Sequence, residues 1–326
     1  MPRPLIIRLR NWVGDVVLGV PTLQRLQRAG YELQLLGKPW AAELLAGHGW
    51  NVESWPKAFG ERQRLLRRLK REAAASDPGF NRRLNAVAFP FSFGCALDLR
   101  LAGLKAIGHA HEARGWLLAR ALPRAAAGPD RPHELAVYWQ LGSALLGDDA
   151  PLPERIQLRS APRHEAAADA LLATHGIAPG FIVICPFAGG TFEGLDKTWP
   201  AFAQAARGRL RELGHELLVL PGPGEEAEAR EQFGGCRVLA GVGLGAYAAL
   251  LRRAALMISN DTGPGHLAAA VDTPLVSVLG PSDPAQWRAW GPGVRLVRGQ
   301  PGSVDGWPSI EAVVAQAEAQ LRIRRR

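Results

Sequence analysis

Three short stretches of this chain combine residue types able to do chemistry with a turn able to present them. The first is Asn11-Trp12-Val13-Gly14-Asp15. A compact apolar run at residues 4–9 precedes it, and apolar residues at helical spacing follow it (Val16, Val17, Val20, Leu23, Leu26). Such a β-to-α turn is the usual mouth of an open α/β sheet. A carboxylate there can cap the helix, or it can deprotonate a substrate hydroxyl as a general base. The residue types alone favour the cap for Asp15. The second stretch is residues 186–199, PFAGGTFEGLDKTW. Gly189, Gly190 and Thr191 can offer N–H and hydroxyl groups to a phosphate, and Lys197 can neutralise a diphosphate. The GKT or GKS ending of an NTP-hydrolysing loop is missing, and an ordinary Gly-rich connection with an exposed Lys satisfies the same letters. The third is residues 257–284, MISNDTGPGHLAAAVDTPLVSVLGPSDP. It reads as strand, Gly-rich turn, Ala-rich helix and strand, with the turn at a helix N-terminus where a phosphate can sit. Asp261, Thr262 and His266 add side chains able to bond hydroxyls or phosphate oxygens. A simple capped turn fits these letters equally well.

The elements around these stretches alternate. In the first half, strands are predicted at residues 4–9, 31–36, 85–91 and 107–108, and helices at 15–29, 39–46, 95–104 and 133–146. Pro21 inside the first helix marks either a kink or its true start. Residues 61–72, ERQRLLRRLKRE, form a basic amphipathic helix with Leu65, Leu66 and Leu69 on one stripe. Its arginines are either a solvated face or an anionic-acceptor or membrane-surface contact. Residues 125–132 are Gly/Pro-rich, and residues 147–153 have the composition of a linker. The second half restarts the alternation. Helices are predicted at 165–173, 199–213, 225–232, 244–253 and 309–323, and strands at 181–185, 216–220, 237–239, 254–258 and 273–279. The expected class is α/β. One domain spans residues 1–155 and another 156–308, with a terminal helix at 309–326 placed to pack back on the first domain.

Composition narrows the partners. At 326 residues and 47% hydrophobic content, two cores are the better prior. A net charge of +9 points to polyanions, meaning nucleic acid, an anionic membrane or phosphorylated ligands. No nucleic-acid-binding signature is present, so nucleic acid ranks last of these. Cys95, Cys185 and Cys236 are far apart and read as reduced thiols of a cytosolic protein. The eight histidines include no HExxH set, and His109 with His111 is a poor metal pair, so no metal site is expected. No apolar run is long enough to span a bilayer, so any membrane contact is peripheral.

NWVGD, the Cys185-Pro186 loop running to Lys197-Thr198-Trp199-Pro200, and SNDTGPGHLAAA with TPLVSVLGPSDP together resemble the lipopolysaccharide heptosyltransferases, glycosyltransferase family 9. The motifs fall in order from about residue 4 to about residue 290. Trp12-Val13-Gly14-Asp15, and the segment at Phe91-Ser92-Phe93-Gly94, look most like the heptosyltransferase II branch. The resemblance implies a GT-B fold: two Rossmann-like domains around an interdomain cleft, donor on the second and acceptor on the first. It implies inverting transfer of heptose from ADP-heptose to the lipopolysaccharide inner core, without metal or cofactor, at the cytoplasmic face of the inner membrane. Asp15 matches the family's proposed base. Thr191 and Lys197 fall in its diphosphate loop, and Asp261, Thr262, Gly263 and His266 in its donor motif. Ser92, Arg64, Arg67 and Arg68 are the expected acceptor contacts. Gly265 stands where the family commonly has a bulkier residue, and the 189–198 loop departs from the usual pattern. These departures leave open a relative using another nucleotide-activated sugar or a protein acceptor. An epimerase or hydrolase on the same fold would form product without acceptor, and a catalytically inactive nucleotide-sugar-binding module would form none.

Overall fold

The computed structural model describes residues 3–124, 131–189, 191–192, 195–280, 284–299 and 306–324. They fall into two units, Met1–Pro153 and Glu154–Arg326. Gly190, residues 281–283, most of the Gly/Pro-rich segment (residues 125–130) and the side chain of Thr191 lie outside the described residues.

The first unit runs β1 (Arg3–Arg8), α1 (Val13–Arg28), β2 (Tyr31–Gly37), α2 (Pro39–Leu44), β3 (Asn51–Ser54), α3 (Phe59–Ser76), β4 (Ala86–Ala88), α4 (Phe93–Leu101), β5 (Ala106–His109), β6 (Arg120–Leu122) and α5 (Glu134–Leu146). Its six strands are parallel in the order β3-β2-β1-β4-β5-β6, with Ile6 of β1 beside Gln34 of β2 and Ala86 of β4. Leu5, Ile6 and Ile7 are wholly buried, because a parallel sheet is covered on both faces and needs an unbroken apolar run. That is why β1 is legible and the edge strands are not. β3 has one apolar residue and is half exposed, and β6 is three residues long. Helix α1 runs straight through Pro21, so the proline marks no start. Helix α3 is a surface helix. It buries Gln63, Leu66, Leu69 and Ala73 at helical spacing and leaves Arg64 and Arg67 in water.

The second unit runs α6 (Pro162–His175), β7 (Ile182–Cys185), β8 (Thr191–Phe192), β9 (Leu195–Asp196), α7 (Phe202–Arg207), β10 (Leu217–Val219), α8 (Glu226–Gln232), β11 (Arg237–Val238), α9 (Leu244–Arg253), β12 (Leu256–Asn260), α10 (Gly263–Ala270), β13 (Leu275–Leu279), α11 (Pro284–Trp287), β14 (Val294–Arg298) and α12 (Ile310–Arg324). Its parallel order is β11-β10-β7-β12-β13-β14, while β8 and β9 make a small antiparallel hairpin of their own. The helix expected over residues 199–213 is only α7, because the chain leaves the helical conformation at Gly208. Helix α12 buries Val313, Val314, Ala317 and Leu321 in the core of its own unit. Its apolar face packs against β12, β13 and β14.

Candidate active site

Renumbered within its own unit, each sheet has the strand order 3-2-1-4-5-6. The direction of winding reverses between strands 1 and 4, and the loops leaving the carboxyl ends of those two strands diverge to opposite faces, opening a crevice. In the first unit those loops carry Asp15 and Ser92. In the second they carry the residue 186–199 stretch and the Asp261–Thr262 turn. The residues singled out in the sequence therefore lie near the switch point of each sheet, where such folds make room for a ligand.

Asp15 lies in the first turn of α1 and is buried. It is no helix cap. The cap position is Trp12, which is 67% exposed, and the Asp15 carboxylate turns elsewhere. Its Oδ1 accepts a 2.8 Å hydrogen bond from the Tyr138 hydroxyl on α5, and Arg10 Nη2 stands 3.5 Å from the same oxygen. Tyr138 is wholly buried. Burial raises its pKa well above the usual phenol range, and the Asp15 charge adds to that, so the hydroxyl remains a donor. Burial works against the Arg10 charge, but Tyr138, Asp15 and Glu134 outweigh it and raise the Arg10 pKa. Glu134, one helical turn before Tyr138, is buried beside Arg131 at 3.1 Å and Arg124 at 3.8 Å. Burial pushes the Glu134 carboxyl up against the pull of Arg10 and Arg131. The Arg10 and Arg124 guanidinium carbons lie 4.5 and 3.7 Å from the centre of the Phe91 ring.

Beside this group the first unit has a cavity of about 380 Å³ at the carboxyl ends of its strands. Arg8 closes β1, Lys38 follows β2, Lys57 follows β3 and Ser92 follows β4, and all four line the cavity with Trp55, Arg62 and Asp98. Four cationic groups face one carboxylate, which Arg62 already binds at 2.8 Å. Arg8 is nearly inaccessible. Its Nη2 donates to Asn11 Oδ1 at 2.7 Å, and its guanidinium stands 4.8 Å from the Trp55 ring centre. Of the expected acceptor contacts, Ser92 lines this cavity and Arg64, Arg67 and Arg68 do not. Arg68 is held by Glu53 and Glu72. Sequence reading missed Arg8, Lys38 and Lys57, whose shared signal is a cation just at or after the end of a strand.

In the second unit the two predicted stretches meet. Asn260, at the end of β12, is wholly buried. Its Nδ2 donates to the Pro186 carbonyl at 2.6 Å, and its Oδ1 accepts from the Trp199 N–H at 3.0 Å. One side chain thus ties both ends of the 186–199 stretch to the Asp261 turn. Lys197 Nζ donates to the Asp261 carbonyl at 3.4 Å. Thr262 precedes α10, yet its hydroxyl makes no capping bond. It lies 3.4 Å from Ser259 Oγ and 3.8 Å from Cys185 Sγ. Burial pushes the Cys185 thiol up to about 11, so it stays a neutral thiol under the turn. Gly263 opens α10 and His266 is buried within it. Thr191 belongs to the β8–β9 hairpin, paired with Asp196. His109 is used structurally, its ring nitrogens 3.2 and 2.9 Å from the Pro123 and Val137 carbonyls. Among the described residues no group of three or more His, Cys, Asp or Glu could hold a metal ion.

Two parallel units of this strand order give the chain a GT-B fold. Residues 88–304 match the model of glycosyltransferase family 9 (heptosyltransferase), and the chain belongs to that family. It is 29% identical to lipopolysaccharide heptosyltransferase 2 of Salmonella typhimurium over 302 residues, covering 84% of this chain and 82% of that one. It is 35% identical to lipopolysaccharide heptosyltransferase 3 of Escherichia coli over 123 residues, so this chain spans only about a third of that relative's length. The solved structure of E. coli ADP-heptose LPS heptosyltransferase II aligns over 100% of both chains with a TM-score of 0.79 at 22% identity, which is a likeness of fold.

Proposed function

We propose that this glycosyltransferase moves heptose from ADP-heptose to the lipopolysaccharide inner core, with inversion, and that Asp15 is its general base. The observation that carries the reading is the buried Asp15 carboxylate, held by Tyr138 and Arg10 at the switch point of the first unit. A base needs one ionised oxygen at hydrogen-bonding reach of the acceptor hydroxyl. As that hydroxyl loses its proton, its oxygen bonds to the anomeric carbon. The bond from that carbon to the diphosphate breaks, and the electron pair leaves with ADP. Lys197, Thr191 and the N-terminus of α10 after Thr262 offset the charge growing on ADP, while Asp261, Gly263 and His266 belong to the donor site. On the first unit, Ser92 and the cations Arg8, Lys38, Lys57 and Arg62 suit an acidic acceptor such as a carboxylated or phosphorylated sugar. The acceptor is membrane-held, which places the enzyme peripherally on the cytoplasmic face of the inner membrane.

The test is transfer. Purified protein is incubated with ADP-heptose and with heptose-deficient or mono-heptosylated core acceptors, in EDTA, while ADP release and product mass are followed. One added heptose on the mono-heptosylated acceptor is the expected result. Gain on the heptose-free acceptor alone changes the acceptor, and no gain on either overturns the reading. Asp15→Ala lowers kcat by about two to four orders of magnitude while ADP affinity, measured by calorimetry, is kept. Full turnover in that variant removes Asp15 from the mechanism.

A further inference from the structure

Asp15 has two carboxylate oxygens, and among the described residues its two side-chain polar partners use the same one. The Tyr138 hydroxyl and the Arg10 guanidinium both reach Oδ1. Tyr138 approaches from α5, 123 positions away in sequence, and its ring packs 5.0 Å from that of Phe89 at the end of β4. Glu134 precedes Tyr138 by four residues on α5, so both project from one helical face. Among the described residues Glu134 Oε2 is buried without a hydrogen-bond partner, and the charges of Arg10 and Asp15 both act on that carboxylate. Arg10 is thus shared electrostatically by two carboxylates, one carrying the proposed chemistry and one not.

Resting on the reading of Asp15 as base, we propose that Tyr138 is a positioning residue that pins Asp15 through Oδ1, with Arg10 and Glu134 balancing the local charge, so that Oδ2 receives the acceptor proton. The donor bond fixes the rotation of the carboxylate without occupying the reactive oxygen. The groups acting on this carboxylate are Arg10 from the β1–α1 turn, Tyr138 and Glu134 from α5, and, through Glu134, Arg124 and Arg131. Arg10 brings a positive charge and Tyr138 a hydroxyl donor, whereas Glu134 brings a negative charge, so substitutions at these positions should act with opposite signs.

The experiment measures kcat and KM for ADP-heptose across pH in Tyr138→Phe, Arg10→Gln and Glu134→Gln, using the acceptor that accepts transfer. Tyr138→Phe should lower kcat by about tenfold to a hundredfold with donor KM within about twofold of wild type. Its acid limb should move to higher pH. Arg10→Gln should move that limb the same way, and Glu134→Gln should move it to lower pH. In an Asp15→Asn background, Tyr138→Phe should cost nothing further, since it acts through the missing carboxylate. A loss in Tyr138→Phe with no displacement of the acid limb, or a loss fully additive to that of Asp15→Asn, overturns the proposal as a merely structural effect. Thermal melting and ADP binding show that each variant folds. Should Tyr138→Phe unfold, the opposed displacements in Arg10→Gln and Glu134→Gln decide, and displacements of the same sign defeat the proposal. Full activity in Asp15→Asn fails differently, by removing the base reading itself.

Discussion

At the scale of single residues, the candidate sites of the two units are built in different ways. Asp15, the proposed base, is held by Tyr138 from a distant helix and by Arg10 from the adjoining turn, whereas Asn260 is a structural clasp that itself need touch no ligand. Its two hydrogen bonds satisfy the Pro186 carbonyl and the Trp199 N–H, both of which border the 186–199 stretch. Removing the side chain leaves those two groups unpaired, at about 1–3 kcal/mol for each that remains buried. Asn260→Ala is therefore expected to lower the denaturation midpoint and to weaken ADP binding more than it lowers kcat for the bound donor. Asn260→Asp keeps the acceptor for Trp199 N–H but turns a donor to Pro186 into a repelling oxygen, so it should not rescue. Calorimetry of ADP binding alongside thermal melting checks both. Unaltered ADP affinity in a destabilised Asn260→Ala protein would show that the clasp serves the fold alone.

At the scale of elements, the pairing of α1 with α5 decides whether Tyr138 reaches Asp15. Gly142 allows that close approach, and Gly19 makes room on α1 for Phe89. A Cβ on Gly142 of α5 would stand 3.0 Å from Thr22 Cγ2 on α1, and a Cβ on Gly19 of α1 would stand 3.0 Å from the Phe89 ring that packs on Tyr138. Side-chain bulk at Gly142 must be taken up by Thr22 or by the spacing of the two helices, since packed interiors hold few voids. Gly142→Leu is expected to cost about 1–3 kcal/mol of stability by overpacking and to lower kcat together with it. The companion change Thr22→Ala, which shortens the opposing side chain, should recover part of both. Melting temperature and turnover of the single and double variants measure this. A Gly142→Leu enzyme with normal kcat would mean that the helix spacing is not what places Tyr138.

For the whole molecule, the excess of cations is unevenly used. Some of it lines the first unit's cavity, and more stands on α3, where Arg64 and Arg67 face water. Among the described residues no helix is long and apolar enough to cross a membrane. With a net charge of +9, attachment to an anionic lipid surface would then be electrostatic and screened over the Debye length. The protein is expected to co-sediment with phosphatidylglycerol-containing vesicles at low ionic strength and to be released as salt rises past physiological levels. Arg64→Glu with Arg67→Glu should weaken that sedimentation without altering ADP binding to the second unit. Failure to sediment even at low salt would refute the peripheral placement.

Much of this molecule was written in local pattern. The unbroken apolar runs at residues 4–9 and 181–185 are what a strand covered on both faces requires, and they mark the first strand of each sheet. Asn11–Asp15 and Asp261–His266 were legible because a Gly-bearing turn between such a run and a helix is itself a local signal. Edge strands such as β3 and β6, half solvated and short, carry no comparable periodicity. Neither does the early end of α7 at Gly208, in a segment whose apolar spacing continues as if helical. The sequence by itself therefore determined the class of fold and the turns that bear the candidate chemistry. Only the tertiary structure decided which oxygen of Asp15 is held, that Tyr138 holds it, and that Arg8, Lys38 and Lys57 converge on one cavity. Periodicity is a property of neighbouring residues. These contacts join residues far apart in the chain, and they exist because the strand order and the close approach of α1 and α5 bring them together.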